Sequence, residues 1–194
     1  MSKSEFIRSL QHEEKALSPF DISQRIRLKH GCVSTYLGDK YLDIAEYRGY
    51  MIRFKEKPNR SPEDPELYVC VISLQQTKPW QDLVWTKEIL QILDGKNHRT
   101  DSREALGHML DSRDVQRRSN GTPLNVRADM NGLALALGAT IPKAYRTILR
   151  QQNFIDKHPP AQLEQTLLVP AEFLTWVISE EFEKNFETAV HECD

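Results

Sequence analysis

Residues 67 to 93 read LYVCVISLQQTKPWQDLVWTKEILQIL, and no other stretch constrains the fold as much. The run from Leu67 to Leu74 is apolar almost throughout, with β-branched and aromatic side chains, and reads as a strand. A short polar link follows. From about Trp80 to Leu93 the apolar residues Trp85, Ile89, Ile92 and Leu93 share one helical face. A chain with this centre needs a partner strand and further helices to cover it. Tyr50 to Phe54 alternates as a strand should, and the loop KPNRSPEDPE (57–66) carries three prolines and five charges. The two strands are therefore expected to pair antiparallel.

At 194 residues the chain can bury a real core as one domain, or as one domain with a small appendage. A hydrophobic content of 39% against 28% charged residues points to neither disorder nor a fibre. No apolar run approaches the roughly 20 residues that span a bilayer, so no membrane partner is expected. The start, MSKSEFIRSLQHEEK, lacks the apolar centre of a signal sequence. Cys32, Cys70 and Cys193 are odd in number and widely spaced. That argues against a disulfide frame or a zinc ribbon and for a cytoplasmic location. The net charge of −2 divides unevenly, −7 over residues 158–194 and +5 over the rest. Such a tail can compete with nucleic acid or simply form a solvated helix face.

Ser2 and Glu5 form a capping-box pattern ahead of Phe6, Ile7, Leu10 and Leu17, and Pro19 is expected to end that helix. Asp21 is expected to cap a second helix that Gly31 terminates. The stretch 41–47 is ambiguous between helix and strand. Gly95 is expected to close the helix that follows the strand 67–74. Asp101 and Glu104 are expected to open another, with Ala105, Leu106, Met109 and Leu110 inward. Residues 112–125 read as a basic connection. A buried helix is expected from Val126 to Leu137, another from Pro142, and one long final helix from Pro170. The class is α+β: a small antiparallel sheet packed with a majority of helices. The break at Pro159-Pro160 sets a main domain of 1–158 apart from an acidic amphipathic helix of 159–194, packed on it or used for dimerisation.

The helix segment Lys87-Glu88-Ile89-Leu90-Gln91 invites comparison with His-Glu-x-x-His. In that motif two histidines one turn apart bind zinc on one helix face, and the glutamate polarises the bound water. Strand, link and helix together resemble the ImmA/IrrE-like metallopeptidases. RADMNGLALALGATIPKAYRTIL (127–149) resembles their third-ligand helix with its apolar-Pro ending. The resemblance covers about residues 40–150. It implies Glu88 at the general-base position and an acidic ligand near Asp129 or Asn131. Lys87 and Gln91 stand where the histidines would be. Lysine is protonated at neutral pH and repels a dication, so neither catalysis nor a bound cofactor is expected. What the resemblance then implies is a regulatory protein of a phage, prophage or defence element. It would bind a protein partner, or a second copy, in a cleft lined by Lys87, Glu88, Gln91, Asp129 and Asn131.

Two other readings stay open. Residues 132–152, GLALALGATIPKAYRTILRQQ, resemble a helix-turn-helix. Ala134 would allow close crossing and Gly138 a left-handed turn. The second helix would offer Lys143, Arg146 and Arg150 to phosphates or guanine edges. Glu104 and His108, one turn apart, could ligate a metal in a divergent hydrolase, although three protein ligands are needed. The plainer reading of Lys87, Glu88 and Gln91 is a solvated helix face, and that of Glu104 and His108 a capped surface helix.

Overall fold

The computed structural model describes residues 1–44, 48–54, 65–94 and 123–193, with the side chains of Phe54 and of residues 123–129 left aside. The expectations placed on Gly95, on the helix from Asp101, on Glu104 and His108, and on most of the basic connection and of loop 57–66 lie outside the described residues; residues 123–125 of that connection are already helical. The protein is α+β; the described residues hold three strands and a majority of helices.

The strand expected at 67–74 is β3 (Glu66–Ser73), and it is the central strand. On one side it pairs antiparallel with β2 (Gly49–Phe54), as expected, with Tyr50 opposite Val71 and Ile52 opposite Val69. On the other side it pairs parallel with β1 (Cys32–Asp39), so the sheet is mixed, not antiparallel. The sequence CVSTYLGD hides β1 because the strand is an edge whose middle residues are exposed. It lacks the clean alternation of a half-buried strand. The parallel pairing gives Thr35 to Val69 and Leu37 to Val71.

One face of the sheet receives the helices. Tyr68, Cys70 and Ile72 point into it and are 0–1% exposed. Helix α1 (Lys3–Leu10) has the expected capping box of Ser2 and Glu5. Helix α2 (Pro19–His30) is capped by Ser18. Asp21 completes that box from the third position and Pro19 opens the helix instead of ending one. Gly31 ends it at φ 66°, the left-handed conformation that favours glycine. Ser23 on α2 meets Ser34 of β1 at 2.7 Å. Helix α3 (Lys78–Leu90), continued by a 3₁₀ turn (Gln91–Leu93), crosses the same face. Trp85 packs on Tyr36 with ring centroids 4.8 Å apart. Gly49 of β2 has no room for a side chain, because a Cβ would lie 2.6 Å from Val84 Cγ1.

Helices α4 (Pro123–Thr140) and α5 (Lys143–Gln151) follow, then a short α6 (Phe154–Lys157) and α7 (Pro160–Leu167). Pro160 opens α7, a helix the sequence reading treated only as a break. The long final helix expected from Pro170 is divided. A 3₁₀ turn (Ala171–Phe173) and one turn of helix, α8 (Leu174–Val177), precede α9 (Glu180–His191). Ser179 takes an extended conformation and accepts a hydrogen bond from the Phe182 N–H, which starts α9 afresh. Leu163, Leu167, Val177, Phe182 and Phe186 join the same core as Phe6, Ile22 and Ile89. Trp80 adds a polar tie between α3 and this C-terminal region. Its indole N–H donates to Glu172 at 2.8 Å while the Arg48 guanidinium stacks 3.6 Å above the ring.

Gly138 sits inside α4 and makes no turn; among the described residues Gly31 is the glycine with positive φ. Its role is close approach. A Cβ there would lie 2.2 Å from Phe186 Cε2 on α9, closer than any packing tolerates. Alanine ordinarily improves a helix interior by about 1 kcal/mol over glycine. Gly138→Ala should nevertheless destabilise the protein by roughly 1–3 kcal/mol through overpacking. Urea denaturation monitored by circular dichroism measures this, and a neutral or stabilising result would contradict the α4–α9 contact.

Candidate functional site

The expected cleft beside Lys87 is a packed seam. Glu88 is 6% exposed and points into the interior. Burial first, and then the neighbouring Glu88 carboxylate, push the Cys70 thiol well above its ordinary range. Lys87 is half-buried, and its stem runs across Gly132 of α4, where a Cβ would come within 3.1 Å of Lys87 Cε. Gln91 is half-buried at the end of α3. Asp94 holds Lys3 of α1 at 2.7 Å. Asn131 donates to the Glu192 carboxylate and so faces the C-terminus. Asp129 lies in the backbone of α4, with its side chain outside the described residues. Lys87 and Glu88 therefore do not line one open cleft, because successive residues on a helix diverge by about 100°. The solvated-face reading fails for Glu88 for the same reason. Among the described residues no group of three or more His, Cys, Asp or Glu is placed to hold a metal ion.

The basic side chains expected to meet DNA have other occupations. Arg146 is fully buried beside the stacked rings of Phe182 and Phe186, whose centroids lie 5.0 and 5.2 Å from its guanidinium carbon. Its Nε and Nη2 donate to the Glu183 carboxylate at 3.1 and 2.8 Å, and its Nη1 donates to the Ile141 carbonyl. Arg150 donates to Glu183 and to the Ile178 carbonyl. The start of α5, where a recognition helix would enter a groove, is covered by Gln11. The Lys143 N–H donates to Gln11 Oε1 at 3.1 Å and the Ala144 N–H to the Gln11 carbonyl at 3.0 Å. Of the three residues only Lys143 is substantially exposed. Arg146 was misplaced because its partner lies 37 residues away, beyond the reach of local periodicity.

The surface the sequence reading missed is the outer face of the sheet. Strand register places Val33, Thr35 and Leu37 of β1, Leu67, Val69 and Val71 of β3, and Tyr50 and Ile52 of β2 on that face. None of these eight carries a charge, in a chain that is 28% charged, and Asp39, opposite Ser73, ends the row with one. Leu37 is 59% exposed, and Ile52 and Leu67 are each 39% exposed. The sequence signal was available: Leu67 to Ile72 is apolar at every position, where a strand with one wet face would alternate.

No known protein family matches this chain, and neither does any curated protein or solved structure.

The buried ion pair has a measurable signature. Burial would raise the Glu183 pKa, but hydrogen bonds and charge from Arg146 and then Arg150 outweigh it and hold the carboxyl below the ordinary glutamate range. A depressed carboxylate stabilises the fold above its unfolded value, about 4.3, and that stability is lost as pH falls through the folded value. Urea midpoints should accordingly drop below about pH 4.3 in the wild type, and the Glu183→Gln variant should lose much of that slope. Arg146→Ala should cost about 3–5 kcal/mol, since it leaves Glu183 partly buried with one partner fewer. Lys143→Ala should change stability by less than about 0.5 kcal/mol. Equal effects at positions 143 and 146 would refute the buried pair.

Proposed function

We propose that this protein acts by binding a protein partner through the outer face of its sheet, in a regulatory capacity and without catalysis. The observation that carries this is the apolar, half-exposed face around Leu37, Ile52 and Leu67. Contiguous apolar surface of this kind marks interaction sites more often than idle surface. Three further facts favour it over the readings that use α3 or α5. The Lys87 stem occupies the α3–α4 seam where a metal site would need room. Glu88 is withdrawn from solvent. Arg146 and Arg150 are spent on Glu183. The partner-binding function expected at a cleft beside Lys87 thus moves to the sheet.

Leu67 lies on the central strand, so a change there tests the face directly. The full-length chain, immobilised and exposed to extract of its own cells, should retain a defined partner, and Leu67→Lys or Ile52→Lys should lose it while the melting temperature shifts by only a few degrees. An identical set of captured proteins for wild type and both variants would end this reading. The hydrolase alternative is tested by metal analysis of the purified chain. One zinc per chain, lost on Glu104→Ala or His108→Ala, would replace partner binding with chemistry.

A further inference from the structure

The sheet has an edge as well as a face, and among the described residues the β1 edge lacks the usual sequence protection. Edge strands of monomers are blunted by charged residues, prolines, bulges or a covering segment, because their backbone groups template further pairing. From Cys32 to Gly38, β1 holds neither a charge nor a proline, and its middle residues Thr35, Tyr36 and Leu37 are exposed. We propose that this edge pairs antiparallel with the β1 edge of a second copy of the chain, about a two-fold axis at Thr35. The result is one continuous six-stranded sheet. The edge shares Val33, Thr35 and Leu37 with the face assigned above but pairs through backbone groups, and Leu67, on the central strand, separates the two proposals.

Self-complementarity chooses the second copy over a foreign strand. A two-fold perpendicular to the sheet keeps each face on its own side, so the axis must pass through a residue. Centred on Thr35, the register sets Val33 against Leu37 twice, on the outer face, and Thr35 against itself. Ser34 meets Tyr36 on the helix side. Apolar and threonine pairs are favourable across antiparallel strands, and Asp39 meets Gly31 with no like charge opposite. The opposite edge, β2, carries Arg53 and offers no such match.

A strand edge of eight residues is too small by itself, since a stable dimer buries on the order of 800 Å² per partner. Helix α2 supplies the rest. It lies under β1 through the Ser23–Ser34 contact. Around the helix, Phe20 and Arg27 adjoin Ser23 on the side away from the buried Ile22 and Ile26, with Leu28 beyond. Phe20 is 60% exposed and Leu28 is 84% exposed. In the six-stranded sheet the two α2 helices flank the axis and cover these side chains.

Sedimentation equilibrium of the full chain tests the proposal. The wild type should show twice the 22.5 kDa chain mass. Thr35→Lys places like charges face to face at the axis and should weaken dimerisation on the order of tenfold or more, as should Thr35→Glu. Mixing the two variants should restore a dimer containing one of each, which native mass spectrometry resolves and which no loss of folding can mimic. Leu67→Lys should leave the dimer intact while abolishing capture of the partner. A wild-type chain that remains monomeric up to about 100 μM would overturn the proposal. So would a Thr35 variant that dimerises as the wild type does, or a mixture that fails to form the mixed dimer.

Discussion

A guanidinium removed from water must be neutralised and must have its N–H groups taken, or the fold does not form. Arg146 is such a group, and much of the helical layer is arranged around it. Its carboxylate comes from Glu183 on α9 and its carbonyl from Ile141 in the turn between α4 and α5. It lies against the rings of Phe182 and Phe186, from the same helix as the carboxylate. These demands fix the position of α9 along α4. Once it is fixed, Phe186 falls on Gly138, where only a residue without a side chain can stand. Arg150 adds a second donor to Glu183 from a more exposed position, so its surplus positive charge stays near water. The acidic final helix is therefore not merely a solvated surface. One of its glutamates is a structural counter-ion.

The α3–α4 seam follows a different logic. Here a helix surface of mixed character is closed by a lysine stem lying on Gly132. Long charged side chains commonly cover apolar surface with their methylenes while the head stays near water. The Lys87 stem covers Gly132 at a position where a metal ligand would need to reach inward. Glu88, one residue later, turns to the interior beside Cys70. A pattern read as one motif in sequence is thus divided between two environments in space.

What was legible in the sequence is what depends on near neighbours. The capping box at Ser2 and Glu5, the left-handed stop at Gly31 and the helices on either side of Pro142 rest on contacts within a few residues, and the pairing of 50–54 with the apolar strand on one loop between neighbouring strands. The errors share a cause as well. Asp21 was taken for a cap because Ser18 precedes a proline, and proline reads as a stop more readily than as a first helical residue. Gly138 was taken for a turn because its true reason, the Phe186 ring, lies 48 positions along the chain. Arg146 was given to a nucleic acid because a charged residue in a helical pattern defaults to the outside. β1 was missed because an exposed edge carries little periodicity. Long-range packing separates Gly138 and Arg146 from their local readings.

The same distinction bears on the sheet. A central strand apolar at every position from Leu67 to Ile72 must be sheltered on both faces. Helices shelter one. On the other, Val71 in the middle of the sheet is only 4% exposed. Protection fades outward, through Leu67 and Ile52 to Leu37 at the β1 side. A three-stranded sheet is too narrow to shelter its own margins. Charged residues would have solved this at little cost in stability, since surface substitutions away from special features change it by only about 0.5 kcal/mol. The chain places its charges elsewhere, and on the helix side it even pairs Arg53 with Glu66 within the sheet. A face and an edge left uncharged in a chain otherwise rich in charge are physically reasonable when another polypeptide covers them, and burial of that surface would then complete the sandwich that the sequence of β3 already requires.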